Sequence, residues 1–242
     1  MEQVSLLETK NIHKWYGKIH AVNGVSFTID KGEILGLIGD NGAGKSSLLK
    51  VLSGYHCQDQ GEIFIEGEKV VINSPADARE LGIETVYQER ALVDSMSLAR
   101  NFYMGREPVN RAGFLNKRKM AECIDVLKEI GLTINSPDYL VANLSGGQRQ
   151  GVAIGRAMYF KAKMVLLDEP TTALSVKEVH RVLDLVLEFK AAGIAVIFIT
   201  HNIQHVYDIS DRFLILENGE KIKDIEKAGT SVKELSEVLM GE

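Results

Sequence analysis

An apolar run, Ile34-Leu35-Gly36-Leu37-Ile38, passes directly into Gly39-Asp40-Asn41-Gly42-Ala43-Gly44-Lys45-Ser46. The second stretch has the spacing GxxxxGK[ST], and Ser46 to Leu52 after it reads as a helix. Buried strand, glycine-rich turn and helix in that order are the context a phosphate-binding loop requires. Glycines let successive backbone N–H groups turn inward around an anion, and the start of a helix adds partial positive charge. Lys45 would reach the β- and γ-phosphates of a nucleotide, and the Ser46 hydroxyl would ligate Mg²⁺. The competing account is a glycine-rich turn followed by a chance Lys-Ser, and the flanking strand and helix weigh against it.

Two further segments carry polar groups with a chemical use. Met164-Val165-Leu166-Leu167 is an apolar strand that ends in Asp168-Glu169-Pro170. Asp168 at the strand tip can hold a hydrated Mg²⁺, and Glu169 can accept a proton from attacking water or orient it. Without the phosphate loop this would be a strand running into a solvated acidic turn. Leu144-Ser145-Gly146-Gly147-Gln148 reads locally as a helix start, with Ser145 capping a helix from Gln148 onward. Two glycines beside a cap also form a second anion nest. One triphosphate does not need two nests in one chain, so the second would grip a nucleotide held by another subunit.

Strands alternating with helices predict an α/β core with a largely parallel sheet. Short β-prone runs cover Leu6 to Ile12, Val25 to Ile29 and Thr85 to Gln88, with a hairpin around Gly67. Met164 to Leu167 and Ile194 to Thr200 are buried strands. Val176 to Phe189 and Ser231 to Met240 are helices. Asn218-Gly219 is a type I′ hairpin signal. From Ser97 to Ala157 the pattern turns mostly helical, with Met120, Cys123, Ile124, Leu127 and Ile130 on one face. Arg106 to Lys119 reads as an exposed connection. The chain is thus expected to be one domain over 1–242, with a core of about 1–88 and 161–242 and a helical insertion of about 89–160.

Composition narrows the function. Net charge is −5, which disfavours bulk nucleic-acid binding. Cys57 and Cys123 are far apart and have no CxxC partner, which gives no disulfide framework or cysteine zinc site. The longest wholly apolar stretch, Ile194 to Ile199, is far short of the about 20 residues a membrane span needs. Together with the absence of a signal pattern, this predicts a soluble, cytoplasmic protein that reaches a membrane only through a partner.

The phosphate loop, the Asp168-Glu169 strand end and Leu144–Gln148, in that order, resemble the nucleotide-binding subunits of ATP-binding cassette (ABC) transporters. The resemblance spans nearly the whole chain. It implies a P-loop ATPase core with a mostly parallel sheet, an antiparallel β subdomain on the N-terminal side and an inserted helical subdomain bearing Leu144–Gln148. It also implies a head-to-tail homodimer. Each ATP would lie between the loop of one copy, Gly39 and Asn41 to Ser47, and Ser145, Gly146, Gly147 and Gln148 of the other. Tyr16 falls where an aromatic stacks on adenine. Gln88 matches a glutamine that touches Mg²⁺ or the attacking water, which makes Ser46, Gln88 and Asp168 the metal set. His201 matches a histidine that contacts the γ-phosphate, giving Glu169, His201 and Lys45 as catalytic residues. His13, His20, His56, His180 and His205 match no family motif and read as structural or exposed. Ser175 departs from the pattern, standing where an aspartate is common.

A finer likeness lies in Met96-Ser97, Asn101 and Gly105-Arg106-Glu107-Pro108, which resemble a stretch of monosaccharide importers of the ribose and fructose kind. That implies ATP-driven sugar import at the cytoplasmic face of the membrane. The partners would be transmembrane permease subunits and, indirectly, an extracytoplasmic sugar-binding protein, with no nucleic acid. The alternatives are an ABC ATPase for another cargo, amino acid or lipid, and a non-transport or regulatory nucleotide-binding module.

Overall fold

A computed structural model describes residues 4–86, 92–172 and 174–240. In chain order the elements are β1 (Leu7–Tyr16), β2 (Ile19–Ile29), β3 (Ile34–Ile38), α1 (Lys45–Leu52), β4 (Gln60–Ile65), β5 (Glu68–Val70), α2 (Pro75–Glu80) and β6 (Ile83–Val86). Then follow α3 (Leu98–Phe102), α4 (Lys117–Met120), α5 (Cys123–Glu129), α6 (Gly146–Tyr159), β7 (Met164–Asp168) and α7 (Val176–Ala191). The chain ends with β8 (Ala195–Ile199), α8 (Ile203–Ile209), β9 (Arg212–Glu217), β10 (Glu220–Glu226) and α9 (Val232–Met240). Contacts divide it into two compact units. One is Met1–Thr85, Ala162–Pro170 and Val186–Glu242; the other is Val86–Lys161 and Thr171–Leu185.

The first unit is built on two sheets. The six-stranded sheet has the order β10-β9-β3-β8-β7-β6. Strands β9, β3, β8 and β7 run parallel, and β10 pairs antiparallel with β9. Strands β3 and β8 are buried at every position, which explains their near-continuous apolar sequences. Asn218 and Gly219 both adopt positive φ, 50° and 84°, in the tight turn between β9 and β10.

The four-stranded sheet, order β2-β1-β4-β5, is wholly antiparallel. Its first hairpin is longer than the apolar runs predict: β1 and β2 continue past Ile12 and start before Val25, meeting at Gly17. Register shifts between Thr9 and Ile12, Ile12 and Lys14, and Lys14 and Trp15 break the two-residue alternation that marks a strand in sequence. Arg212 joins the two sheets. It donates to Glu33 Oε1 at 2.7 Å, Asp224 Oδ1 at 2.7 Å and the Thr28 carbonyl at 2.6 Å.

In the second unit the helices are shorter than the pattern from Ser97 to Ala157 suggests. Met120, Cys123, Ile124, Leu127 and Ile130 are all buried, yet a turn at Ala121–Glu122 divides α4 from α5. The Asn101 side chain is fully buried and substitutes for regular structure in the loop before α3. Its Oδ1 accepts from Val93 N at 2.6 Å, and its amide donates to the carbonyls of Val93, Met96 and Ser97 at 3.0–3.3 Å. In the same unit Phe102, Tyr103, Tyr159 and Phe160 pack edge to face on one another, and the Arg106 guanidinium lies 4.7 Å over Phe160. The Cys123 thiol is buried and its pKa is pushed up to about 12 by desolvation, which makes it a packing residue and not a reactive one.

Gly36, mid-strand in β3, has no room for a side chain. A Cβ there would lie 2.5 Å from Val206 Cγ2 of α8 and 2.8 Å from Oγ of Ser210, the residue that follows that helix. Gly36→Ala is expected to destabilise the protein by about 1–3 kcal/mol. Chemical denaturation checks this; an unchanged midpoint would show that α8 can lift off without cost.

Candidate active site

The register of the parallel strands assembles the first set of functional residues. Leu37 of β3 and Asp168 of β7 both pair with Ile199 of β8. The carboxyl ends of three adjacent strands therefore lie side by side. They deliver the loop after Ile38, the pair Asp168-Glu169 and the segment Thr200-His201 to one edge of the sheet, where open α/β sheets bind ligands.

The loop is shaped by backbone contact. Gly39 and Gly44 have φ of 152° and 97°, and a Cβ on either would lie 2.2 Å from the Leu216 carbonyl oxygen or 2.4 Å from that of Ala21. Gly44 leads into α1 without a side-chain cap. The first-turn N–H groups of a helix have no intrahelical acceptor, which makes this end a receptor for an anion. Lys45 is largely buried and its ammonium donates to the carbonyls of Gly39 at 2.7 Å and Asp40 at 2.9 Å. Burial pushes its pKa down, and the charges of Glu169, Asp168 and Asp40 partly restore it. Ala43 is buried; Asn41, Gly42 and Ser46 are exposed, and Ser47 is half-buried.

Ser46 Oγ lies 3.5 Å from Asp168 Oδ1. Burial raises the Asp168 pKa, and the neighbouring Glu169 charge adds to that rise, while the Ser46 hydroxyl, Lys45 and Lys50 oppose it. A hydroxyl and a carboxylate with a raised pKa, at the mouth of a phosphate loop, form a donor set that suits a hard divalent cation. No group of three or more His, Cys, Asp or Glu that could hold a metal occurs among the described residues.

Glu169 adopts φ 51°, in the left-handed region, and its N–H donates to the Ile199 carbonyl at 2.9 Å. This conformation is costly for a non-glycine residue and recurs at active sites. It turns the carboxylate so that Oε2 stands 2.9 Å from His201 Nδ1. When the carboxylate is ionised it can only accept, and Nδ1 is then the donor that ties the imidazole to it. The His201 side chain is 72% exposed, and that of Glu169 only 14%.

Tyr16 ends β1, and its ring packs edge-on to His56 with centroids 5.3 Å apart. Its hydroxyl is buried and has no hydrogen-bond partner among the described residues. Trp15 instead stacks on His20 at 4.1 Å, and His20 Nε2 lies 3.0 Å from His13 Nδ1. Gln88 lies outside the described residues.

The second unit holds the other set. Ser145 caps α6 through a reciprocal pair: its Oγ accepts from Gln148 N at 3.2 Å, and Gln148 Oε1 accepts from Ser145 N at 3.0 Å. The helix begins at Gly146, two residues before the start expected from sequence, because Gln148 serves as the N3 member of this box. Gly147 N–H and Ser145 O–H both donate to Glu178 Oε1, at 3.1 and 3.3 Å. Glu178 Oε2 accepts from Ser175 Oγ at 2.8 Å and Ser175 N at 3.0 Å. The Ser175 hydroxyl and N–H, then Gly147 N–H, lower the Glu178 pKa. Sequence reasoning missed Glu178. The only signal available was Ser-x-x-Glu at 175–178, a capping box that does not foretell the contact with Gly147.

A phosphate loop, a strand-end acidic pair and a histidine at the carboxyl edge of a parallel sheet define a nucleotide-hydrolysing α/β protein. Residues 22–172 match the ABC transporter family. The chain is 50% identical over 97% of its length to the xylose/arabinose import ATP-binding protein XylG of Sulfolobus acidocaldarius, covering 93% of that protein. It is 43% identical over 92% of its length to the fructose import ATP-binding protein FrcA of Rhizobium meliloti, covering 88% of that protein. The ATP-binding cassette MJ0796, solved as a dimer in a post-hydrolysis state bound to ADP and Pi, superimposes with a TM-score of 0.77. That match has 25% identity and covers 93% of this chain and 100% of the other. The chain belongs to the ATP-binding subunits of ABC transporters, and its activity is the ATPase activity of that family.

Replacing Lys45 removes the cation that binds the Gly39 and Asp40 carbonyls of the loop. Lys45→Ala is expected to weaken ATP binding at least tenfold, as loss of a charge-assisted contact to phosphate of about 1.5–3 kcal/mol would do. Titration with a fluorescent ATP analogue measures this; unchanged affinity would overturn the assignment of the loop.

Proposed function

We propose that this chain hydrolyses ATP to power import of a monosaccharide, acting as a pair of identical copies beneath transmembrane permease subunits at the cytoplasmic face of the membrane. The observation that carries this is the presence of two separate anion-receiving ends in one chain, one at Gly39–Ser46 and one at Ser145–Gln148. Each ATP is held between the loop of one copy and Ser145, Gly146, Gly147 and Gln148 of the other.

The roles follow from position. The N–H groups of Gly42 to Ser46, with Asn41 and Ser47 at the loop's two ends, surround the phosphates. Lys45 leaves the Gly39 and Asp40 carbonyls for the β- and γ-phosphates. Tyr16 offers its ring to adenine once it is freed from His56. Ser46, Asp168 and Gln88 would hold Mg²⁺, which would supply positive charge to offset that of the phosphates. Glu169 accepts the proton of the attacking water, and His201, protonated at Nδ1, holds that carboxylate in place. The second copy's nest stabilises negative charge on the γ-phosphate. Loss of the γ-phosphate removes the bridge between copies, and the dimer opens. The helical part, about 89–160, carries the nest and passes this motion to the permease.

Support for sugar as cargo comes from the pentose and fructose relatives and from the Met96-to-Pro108 pattern. Asn101 and Arg106 of that pattern build the second unit, so the pattern records kinship and not contact with cargo. An extracytoplasmic sugar-binding protein is the partner that would select the sugar. No helix among the described residues is long and apolar enough to cross a membrane, which leaves membrane attachment to the permease.

Two variants test the reading. Glu169→Gln is expected to retain ATP binding, slow hydrolysis by about 100-fold or more and accumulate an ATP-bound dimer; turnover at the wild-type rate would exclude Glu169 as the base. Ser145→Arg is expected to spare ATP binding by the monomer and abolish hydrolysis. Full activity in that variant, or in wild-type protein too dilute to pair, would overturn the shared site. Pull-down of permease and binding protein, then sugar binding to the recovered binding protein, tests the cargo.

A further inference from the structure

The groups proposed to receive the second copy's γ-phosphate already hold an anion. Glu178 Oε1 accepts from both Gly147 N–H and Ser145 O–H, at 3.1 and 3.3 Å. The fit is close: a Cβ on Gly147 would lie 2.8 Å from Glu178 Cγ and Oε1. The carboxylate is held there from behind, because Ser175 binds its other oxygen through both hydroxyl and backbone N–H. All of these residues belong to the same compact unit. We propose that Glu178 is an internal stand-in for the phosphate, an autoinhibitory contact that keeps the nest occupied in the single chain and must be displaced before two copies close on ATP.

The inference rests on the proposed role of Ser145–Gln148 and adds a residue outside it. The chemistry favours displacement. A carboxylate oxygen and a phosphate oxygen compete for the same two donors, and the phosphate brings more negative charge and more acceptors. Glu178 need not travel far, since its second oxygen keeps the Ser175 contacts that cap α7. The contact sets a threshold: copies that meet without a γ-phosphate gain nothing by breaking it, whereas copies that meet with one exchange one anion for another. A contact of this half-exposed kind is worth about threefold in an equilibrium constant. A dimer contains two nests, so the factor enters twice, giving about tenfold.

The test measures ATP-dependent dimerisation by sedimentation velocity in full-length protein carrying Glu169→Gln, with and without Glu178→Gln. Glutamine keeps the shape and can still reach back to Ser175, but lacks the charge. The expected result is a dimer dissociation constant about tenfold lower in the double variant, with monomer ATP affinity unchanged. A merely structural role for Glu178 predicts the opposite sign, because a damaged nest would pair less well. An unchanged or weaker dimer therefore overturns the proposal. Glu178→Asp, one methylene shorter, keeps the charge but withdraws it from Gly147; it gives the same answer should the glutamine variant fail to fold. Ser145→Arg in the Glu169→Gln background separates the two ideas. If it abolishes pairing, the nest is confirmed as the docking point and the Glu178 result stands alone. If pairing persists, or if Glu169→Gln itself never pairs on ATP, the shared site falls and the autoinhibitory contact falls with it.

Discussion

Two backbone carbonyls decide where the phosphate loop can lie. Leu216 O blocks any side chain at position 39, and Ala21 O blocks any at position 44. The loop is thus pressed between the end of β9 and the strand β2, and its curvature is set by main chain against main chain. This fixes the N–H groups before any ligand arrives, so little ordering cost remains to be met on binding. The rest of the edge is built outward from this contact. The register of β3, β8 and β7 then fixes how far Asp168, Glu169 and His201 stand from it. Asp168 already stands 3.5 Å from Ser46 of the loop, and His201 is 2.9 Å from its neighbour Glu169.

Each charged half of the machinery is satisfied inside its own chain. Lys45 binds the Gly39 and Asp40 carbonyls, and Glu178 covers the nest at Gly147. Without such partners a largely buried ammonium and an uncovered helix start would destabilise the fold. With them, ATP has to replace contacts that already exist. The ligand can shift the equilibrium between open and closed pairs only by the difference between old and new contacts. On the proposed reading that difference would be small for ADP, which would leave the nest to Glu178, and larger for ATP, so that the γ-phosphate, and not the nucleotide as a whole, would control pairing.

What was legible in the sequence was what the backbone dictates locally. Gly39 to Ser46, Asp168-Glu169 after four apolar residues, and Asn218-Gly219 each demand one conformation whatever surrounds them. The long β1–β2 hairpin was not legible, because its bulges put polar residues such as His13 and Lys14 where alternation would place apolar ones. Nor was the extent of α4 and α5: the apolar face is continuous from Met120 to Ile130, but a face does not report a turn that interrupts the helix beneath it. Tyr16 could be placed at the end of a strand but not oriented. Its ring direction is set by His56, forty residues on, and such contacts leave no periodic trace.

Ser175 brings these threads together. A residue at this position in the family is commonly aspartate, and in sequence the serine looks like a lost charge. In the fold its hydroxyl lies 2.8 Å from Glu178 Oε2 and donates to it. An aspartate at 175 would place a second carboxylate against the first, with no proton between them, and like charges so close cannot both stay ionised without cost. Glu178 would then be pushed away from position 175 and lose the anchor that aims it at Gly147. The serine is therefore the condition under which Glu178 can hold the nest. The negative charge is not missing from this turn but moved three residues along, from a place at the start of α7 to one where it caps a neighbouring helix.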